Sequence, residues 1–230
     1  MKDRLSILNK LNINIKQIID IGAHHGEWYE LAKSIFPNAN ILSFEANPKC
    51  KNILEQKGIP HDICFLSNKQ DEIINFYQCN HDCDTGNSIF KELTTQFDSN
   101  NYTLIELKTE TLDNKLETFN INKVDLLKLD VQGAELLILE GATNILQNTE
   151  FVILEVSLFR YNQEAPLFSD VIKFMDSNGF HVFDILELHP YDLLHLQCDI
   201  LFINKNSEYT TSIANIISNR TPWKVSDLYK

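Results

Sequence analysis

Short apolar runs alternate with segments of helical periodicity along most of the chain. An amphipathic helix repeats its apolar residues every three or four positions, whereas a strand buried on both faces is a continuous apolar run. The runs predicted to be strands are 17–21, 41–44, 61–66, 72–78, 102–107, 124–129, 151–156, 180–186 and 198–203. The segments predicted to be helices are 4–13, 26–36, 48–58, 111–119, 135–147 and 166–178. This alternation predicts an α/β fold whose mainly parallel sheet is covered by helices on both faces.

The last two predicted strands, 180–186 and 198–203, are joined by a segment without helical periodicity. Neighbouring parallel strands need a crossover of about a dozen residues or more, and that crossover is usually a helix. The last pair is therefore predicted to be antiparallel. The expected architecture is a mainly parallel seven-stranded sheet with an antiparallel C-terminal strand.

The length of the chain fits one domain with short extensions. Its 230 residues lie within the usual range for a single α/β domain. We expect an N-terminal helix in 1–16, the main domain in 17–205 and a C-terminal tail in 206–230. Residues 1–20 show no basic start followed by an apolar run, and no stretch approaches about 18 apolar residues. Neither a signal peptide nor a membrane span is predicted, and the expected location is cytoplasmic.

Charge and cysteine content restrict the possible partners. The chain has 32 acidic and 20 basic residues, a formal net charge of −12. This argues against a nucleic-acid partner, because binding to phosphate backbones requires clustered basic residues. A small anionic substrate remains compatible. The five cysteines have scattered spacing, which favours free thiols; Cys79, His81 and Cys83 leave a metal site open, but no second pair of thiols completes a zinc site.

A glycine-containing turn, Asp20-Ile-Gly-Ala-His-His-Gly26, lies between the first long predicted strand and the helix that follows it. Dinucleotide enzymes carry G-x-G-x-x-G at this point, where the pyrophosphate rests on the helix N-terminus. The spacing here is Gly22-x-x-x-Gly26, and an acid precedes it, which favours a ligand with an ammonium group and a sulfonium. Glu45, about 20 residues further on, can accept both hydroxyls of a ribose. The alternative is that Asp20 only caps a helix and Glu45 is only exposed at a strand end.

Further short motifs follow the turn in order. They are Phe44-Glu-Ala-Asn-Pro48, Phe65-Leu-Ser-Asn68, Thr111-Leu-Asp113, the run Val124–Glu135, Leu139-Glu-Gly-Ala142 and Leu154-Glu-Val156. As an ordered set over about residues 17–205, they resemble the FkbM family of S-adenosylmethionine-dependent methyltransferases. The resemblance implies a Rossmann-like class I methyltransferase fold and an O-methyltransferase that acts on a small-molecule hydroxyl. The expected acceptor is a sugar or glycan precursor of a capsule, a lipopolysaccharide or a secondary metabolite.

The resemblance also implies which residues bind S-adenosylmethionine. Four positions of the glycine turn would line its methionine part: Asp20, Gly22, Ala23 and Gly26. His24 in the same turn is a further expected cofactor contact. Glu45 would hold the ribose, and three residues would flank the adenine: Leu66, Ser67 and Asn68. Ala46, Asp130 and Val131 are further expected cofactor contacts. His24 departs from the family pattern, which often has Asn there, but a histidine can donate the same kind of hydrogen bond.

Three residues are predicted to take part in the chemistry. Methyl transfer from a sulfonium is an in-line displacement, so the enzyme must align the reactants and remove a proton from the acceptor. Asp130 and Glu155 end two strands that we expect to be adjacent, at the edge where ligands bind in such sheets. Lys128 shares a strand face with Asp130, and a buried lysine needs a partner. We predict that it pairs with Asp130 or Glu155; a structural salt bridge remains the alternative.

The acceptor is expected to contact the polar loop 79–100. Asn87 and Ser88 in this loop are small polar residues that can hydrogen-bond a sugar, although a plain turn explains them equally well. Gln132 and Glu135 begin the segment after the Asp130 strand. They are predicted to contact either the substrate or the end of the following helix.

Histidines and a metal ion are further candidates for the chemistry. His81, His189 and His195 are candidate bases near neutral pH. Two carboxylates with a neighbouring histidine can hold a divalent metal. No compact Asp/Glu/His triplet is visible in the sequence, so no required metal is predicted.

Several functions besides O-methylation are compatible with the sequence. A nucleotide-sugar or alcohol oxidoreductase has the same fold, but the missing G-x-G-x-x-G and the acid at Asp20 disfavour it. A methyltransferase that acts on a nitrogen or a phosphate-linked oxygen and a non-catalytic Rossmann-like binding domain also remain open. A comparison of NAD with S-adenosylmethionine binding separates the oxidoreductase from the methyltransferases, and weak or absent cofactor affinity would indicate the binding domain. The oligomeric state is left open, a homodimer included.

Overall fold

A computed structural model describes residues 1–80, 86–93 and 101–220. His81 and Cys83, named above as candidate metal ligands, lie outside the described residues. The strands of the described part are β1 (Gln17–Ile21), β2 (Asn40–Glu45), β3 (His61–Ile63), β4 (Phe65–Leu66), β5 (Ile73–Cys79), β6 (Tyr102–Glu110), β7 (Val124–Leu129), β8 (Thr149–Ser157), β9 (Phe180–Tyr191) and β10 (Leu194–Asn204).

The helices flank these strands in the alternating order that the periodicity predicts. They are α1 (Lys2–Leu5), α2 (Ile7–Lys10), α3 (Glu27–Ile35), α4 (Lys51–Gln56), α5 (Leu112–Thr118), α6 (Glu135–Glu140), α7 (Thr143–Gln147), α8 (Phe168–Ser177) and α9 (Tyr209–Arg220). A short 3-10 helix, Pro48–Cys50, precedes α4. None of the helices in the described ranges combines the length and apolarity that crossing a bilayer requires.

Seven strands form the main sheet, in the order β3-β2-β1-β7-β8-β10-β9. All neighbours are parallel except β10, which is antiparallel to both β8 and β9. This confirms the predicted mainly parallel seven-stranded sheet with an antiparallel C-terminal strand. β9 and β10 extend beyond their predicted bounds and form one long hairpin.

Three predicted elements are divided in the structure. The run 61–66 contributes β3 to the main sheet and β4 to a separate three-stranded sheet, β4-β6-β5, so the prediction of one strand was wrong. Helix 135–147 is interrupted at Gly141, where an added Cβ would lie 2.2 Å from the carbonyl oxygen of Ser67. The N-terminal helix 4–13 is two short helices that meet at Ser6. The breaks at 61–66 and at Gly141 depend on tertiary partners rather than on local periodicity.

The apolar core lies on both faces of the sheet. On one face, side chains such as Ile19 and Leu127 pack against α5 to α8. On the other face, Ile18 and Leu126 pack with α3 and with the terminal helices, including Leu8 of α2 and Ile213 of α9. Alternate residues of β1 and β7 thus face opposite cores, as the period of two in a strand requires. Coverage on both faces leaves the carboxyl ends of the parallel strands as the edge open to ligands.

Candidate active site

A cavity of about 380 Å³ opens at the carboxyl ends of β1, β2, β7 and β8. Its volume is within the range of about 300–1,000 Å³ that is usual for small-molecule sites. Thirteen of the residues that the sequence singled out line it: Gly22, Ala23, His24, Glu45, Ala46, Leu66, Asn87, Ser88, Lys128, Asp130, Val131, Gln132 and Glu155. The structure therefore brings together residues that are up to 133 positions apart in the chain (from Gly22 to Glu155).

Five predicted site residues do not line the cavity: Asp20, Gly26, Ser67, Asn68 and Glu135. Gly26 packs against Ile59, where an added Cβ would be 2.1 Å from the side chain. The side-chain amide of Asn68 donates to Glu140 on the surface. Asp20 and Glu135 are buried behind residues that do line the cavity, and their contacts are described below.

Gly22 allows the ends of β1 and β7 to approach each other. Its φ is +82°, and an added Cβ would lie 1.9 Å from the backbone oxygen of Asp130. A side chain at this position would therefore strike the protein's own backbone. The motif suggested that a glycine is needed here so that a ligand can approach. The close packing of β1 and β7 already requires a glycine at this position.

Gly22→Ala is expected to destabilise the fold more than a positive φ alone would. The left-handed conformation costs an alanine about 1–2 kcal/mol, and the contact with Asp130 adds about 1–3 kcal/mol of overpacking. Urea denaturation measures the total. Gly179→Ala is the matched control, because Gly179 has φ +85° with nothing within 4 Å of the added Cβ. Equal losses in the two variants would show that the approach to Asp130 contributes nothing.

Glu45 joins the glycine turn to the end of β2. It is 9% exposed, and its two carboxylate oxygens accept the backbone N–H groups of His24 and Asn47, both at 2.7 Å. Burial raises the pKa of Glu45, while these two hydrogen bonds lower it. Each carboxylate oxygen can accept more than one hydrogen bond. Glu45 is thus held rigidly with acceptor capacity left for a ligand in the cavity.

Lys128 is the buried cation of the site. It is 3% exposed, and its Nζ lies 3.4 Å from Asp20 Oδ1 and 3.5 Å from Asp130 Oδ2. Burial lowers the pKa of Lys128, but the neighbouring carboxylates, Asp130 first, outweigh burial and raise the pKa above its usual value. The ammonium therefore keeps its charge. Of the two predicted partners, Asp130 pairs with Lys128 directly, and Asp20 takes the place of Glu155 as the second partner.

Asp20 supports Lys128 from the side away from the cavity. It is 0% exposed and lies opposite Lys128 in the parallel pairing of β1 with β7. Burial raises the pKa of Asp20, and the ammonium of Lys128 opposes that rise. Asp20 thus reaches the cavity only through Lys128. The ring of Trp28 covers the other side of the ammonium, with its centroid 5.6 Å from Nζ, in a cation–π contact.

Gln132 connects the two acidic side chains of the cavity. Its Nε2 donates to Glu155 Oε2 at 2.7 Å and to Asp130 Oδ1 at 3.2 Å, while its Oε1 accepts from the hydroxyl of Tyr161 at 3.2 Å. Its φ of +55° is unusual for a residue other than glycine. Burial, followed by the charge of Asp130, raises the pKa of Glu155 well above its usual value. The network fixes both carboxyl groups at one wall of the cavity.

The predicted acceptor loop is attached to this network. Ser88 is buried, and its hydroxyl donates to the backbone oxygen of Gln132 at 2.9 Å. The side-chain oxygen of Asn87 accepts the backbone N–H of Cys79 at 2.7 Å. Both residues line the cavity while their side chains also hold the loop in place. Any hydrogen bond from Asn87 or Ser88 to the methyl-accepting substrate must be made in addition to these contacts.

Glu135 holds the segment between Asp130 and the helix α6. Its Oε1 accepts the backbone N–H groups of Val131 and Gly133, at 3.0 and 3.2 Å. Burial raises the pKa of Glu135 to about 7. Of the two roles that the sequence left open, contact with the helix end is the one that the geometry supports.

One wall of the cavity is apolar. Phe44, Phe65, Leu66, Phe76 and Ile138 contribute apolar side chains to the lining. Of these, the motifs singled out Leu66 as a cofactor contact. Phe44 and Phe65 belong to the motifs but were given no role, and Phe76 and Ile138 come from elements whose periodicity only indicated core positions. The cavity therefore offers apolar side chains, an acceptor at Glu45 and a charged pair at Lys128 and Asp130.

Comparison with known proteins identifies the family to which the chain belongs. Residues 20–182 match the family model described as the methyltransferase FkbM domain, which is more than half of the chain. The chain belongs to the FkbM methyltransferase family. Every residue that lines the cavity lies within the matched range.

A curated relative and two solved structures accompany this FkbM match. The hexuronic acid methyltransferase AglP of Haloferax volcanii is 42% identical over 81 residues, which cover 32% of this chain and 34% of AglP. The match thus spans about a third of the relative's length. Methyltransferase FkbM from Methylobacillus flagellatus aligns with a TM-score of 0.50 and 13% identity, over 83% of this chain and 44% of that chain. A S-adenosylmethionine-dependent methyltransferase from Clostridium acetobutylicum aligns with a TM-score of 0.50 and 8% identity, over 88% and 90%.

These likenesses agree with the sheet order and confirm the Rossmann-like class I methyltransferase fold that the motifs implied. At such low identity the solved structures support the fold alone. Trp28 and Tyr161 are two contacts of the site that the sequence did not indicate. Trp28 carried only a helical periodicity signal, and no motif includes Tyr161.

Proposed function

We propose that this methyltransferase uses S-adenosylmethionine to methylate a hydroxyl oxygen of a small molecule, with a sugar or glycan precursor as acceptor. The observation that carries the proposal is the cavity in which the Glu45-braced glycine turn meets the Lys128–Asp130 pair. The name of the AglP relative supports a sugar acceptor, and membership of the FkbM methyltransferase family supports the cofactor.

The cavity suits the parts of S-adenosylmethionine. Glu45 has acceptor capacity for the two ribose hydroxyls, and the wall around Phe44 and Leu66 suits an adenine ring. The indole Nε1 of Trp28 is buried and finds no acceptor among the described residues. It is a donor at the cavity wall for an acceptor such as the methionine carboxylate. When bound, this cofactor supplies an electrophilic methyl group.

Asp130 is the group that we assign to proton removal. Its side chain is 36% exposed and lines the cavity, whereas Glu155 Oε2 already accepts the amides of both Gln132 and Gln197. The Asp130 carboxylate would take the proton of the acceptor hydroxyl as its oxygen bonds to the methyl group and the bond between that methyl group and sulfur breaks. Lys128 positions one oxygen of that carboxylate and Gln132 the other. Glu155 borders the acceptor on the same wall.

Glu45→Ala is expected to weaken binding of S-adenosylhomocysteine at least about tenfold. The substitution removes hydrogen bonds to a charged acceptor, each worth about 1.5–3 kcal/mol. Isothermal titration calorimetry with S-adenosylhomocysteine and with NAD measures the effect, and only the former is expected to bind the wild-type chain. Glu55→Ala, which removes an exposed acid of α4, is the control. Unchanged affinity in the Glu45 variant would remove Glu45 from the cofactor site.

The acceptor is tested by transfer of a labelled methyl group to a panel of small molecules. The panel includes neutral sugars, hexuronic acids, primary amines and phosphate esters. Label in a sugar ether is the expected result. Label only in amines or phosphate esters would replace the hydroxyl acceptor with one of those classes. Cofactor binding without transfer to any compound would favour a binding domain.

A further inference from the structure

A histidine and two carboxylates meet on one face of the main sheet beside the cavity. Asp199 of β10 lies opposite Glu155 of β8 in their antiparallel pairing, so both side chains project from the same face. His189 of β9 adds its Nε2 at 2.7 Å from Asp199 Oδ2. One ligand atom from each of the three residues lies within 4.8 Å of the other two. Three strands thus present one nitrogen and two oxygen ligands to a common point.

Carboxyl groups are concentrated around this point. Asp199 is 4% exposed, and Gln132 links Glu155 to the further carboxylate of Asp130. Lys128, the buried cation of the cavity, is already shared between Asp20 and Asp130. Buried carboxylates are stable only when their charge is compensated. Apart from His189, Asp199 has no cationic partner among the contacts of the described residues.

Neutral oxygen ligands are also within reach. The side-chain amides of Gln132 and Gln197 approach Glu155 Oε2 at 2.7 and 2.6 Å. A half-turn of either amide would place its carbonyl oxygen there, in exchange for the hydrogen bond that its NH₂ group donates to Glu155. One imidazole nitrogen with carboxylate and amide oxygens is a ligand set for a first-row divalent cation such as Mn²⁺, with Mg²⁺ as the harder alternative.

We propose that Glu155, His189 and Asp199 bind one divalent cation at the acceptor wall of the cavity. The sequence predicted no metal because the three ligands come from separate strands, and only the pairing of β8, β10 and β9 brings them together. The described residues offer one other such group, His24, His25 and Glu27, which serves below as the competing site.

The proposed cation allows this wall of the cavity to bind an acidic sugar. This role rests on the proposed function. An acceptor with a carboxylate would otherwise face Asp130 and Glu155 with Lys128 as the nearby cation, and Lys128 is already shared between Asp20 and Asp130. Since Glu155 both lines the cavity and belongs to the triad, a cation held there can bind carboxylate or vicinal hydroxyl oxygens of the acceptor. The substrate class that fits is a hexuronic acid or another anionic sugar.

Metal binding is tested without activity, by electron paramagnetic resonance and calorimetry of Mn²⁺ with the EDTA-treated full chain. One Mn²⁺ per chain is expected, and Asp199→Asn and His189→Gln are each expected to weaken it at least tenfold. His181→Gln is the matched control, because His181 also lies on β9 beside an aspartate, Asp176, but away from the triad. S-adenosylhomocysteine binding is measured on every variant, so that an unfolded variant is recognised and failure of the metal site is distinguished from failure of the proposed function.

Two results would overturn the metal site. The first is no Mn²⁺ binding by a chain that binds S-adenosylhomocysteine, in which case His189 and Asp199 form only a structural ion pair. The second is binding that survives Asp199→Asn and is lost in His25→Gln, which would assign the ion to the competing site. Calorimetry of glucuronate then tests the role in acceptor binding: binding is expected only with Mn²⁺ present, and equal or absent binding under both conditions would overturn that role.

Discussion

Asp130→Asn is expected to lower turnover about 100-fold or more while the chain stays folded. General-base removal typically costs about 10²–10⁴-fold in rate. The amide keeps the shape of the carboxylate, and Lys128 retains its buried partner Asp20, so no buried charge is left uncompensated. The free energy of unfolding should therefore change little. Turnover, S-adenosylhomocysteine affinity and melting temperature, measured on the same protein, test this, and the affinity should change by less than about tenfold.

Asp125→Asn is the control for this variant. Asp125 lies on the same strand, β7, but at its other end, where its carboxylate accepts the backbone N–H groups of Lys16 and Gln17. Its loss should affect stability and leave turnover per folded molecule unchanged. If turnover of Asp130→Asn follows only its melting temperature, Asp130 is structural. The base must then be sought at Glu155 or at His189, which approach the acceptor wall from β8 and β9.

The sequence predicts the sheet better than it predicts the breaks in its elements. Buried strands 124–129 and 151–156 are continuous apolar runs, and the missing helix before 198–203 allowed only an antiparallel return. The division of 61–66 could not be predicted in this way. Residues 61–63 pair with β2 and residues 65–66 pair with β6, and a choice of partner strand leaves no trace in local periodicity.

The candidate site shows the same limit. The glycine turn and Glu45 carry recognisable motifs, and both lie at the cavity. The contact between Asp20 and Lys128 follows from their positions opposite each other in β1 and β7, which requires the strand order. Motif spacing therefore places Asp20 near the ligand but does not show that Lys128 stands between them. The Glu155–His189–Asp199 group depends on three strands and is likewise absent from any local pattern.

Lys128→Met is expected to destabilise the chain by about 3–5 kcal/mol, the usual cost of leaving one partner of a buried ion pair uncompensated. Asp20 is fully buried, and without the ammonium its remaining side-chain contact is the hydroxyl of Ser43 at 3.4 Å. Urea denaturation at pH 7 measures the loss. Lys123→Met, at an exposed position just before β7, is the control and should change stability by no more than about 0.5 kcal/mol.

The loss in Lys128→Met should also depend on pH, with a sign that follows from Asp20. Burial already raises the pKa of Asp20 above 3.8 in the folded chain, and removal of the opposing ammonium raises it further. A carboxyl group with a higher pKa in the folded state favours folding when protonated, so stability falls as pH rises from about 4 through the raised pKa. The deficit should therefore be smaller at pH 5 than at pH 7.

Asp20→Asn combined with Lys128→Met removes both charges and should recover most of the loss. If the double variant loses as much free energy of unfolding as the two single variants together, Asp20 and Lys128 stabilise the fold independently. Lys128 could then no longer be described as the group that Asp20 holds in place beside Asp130.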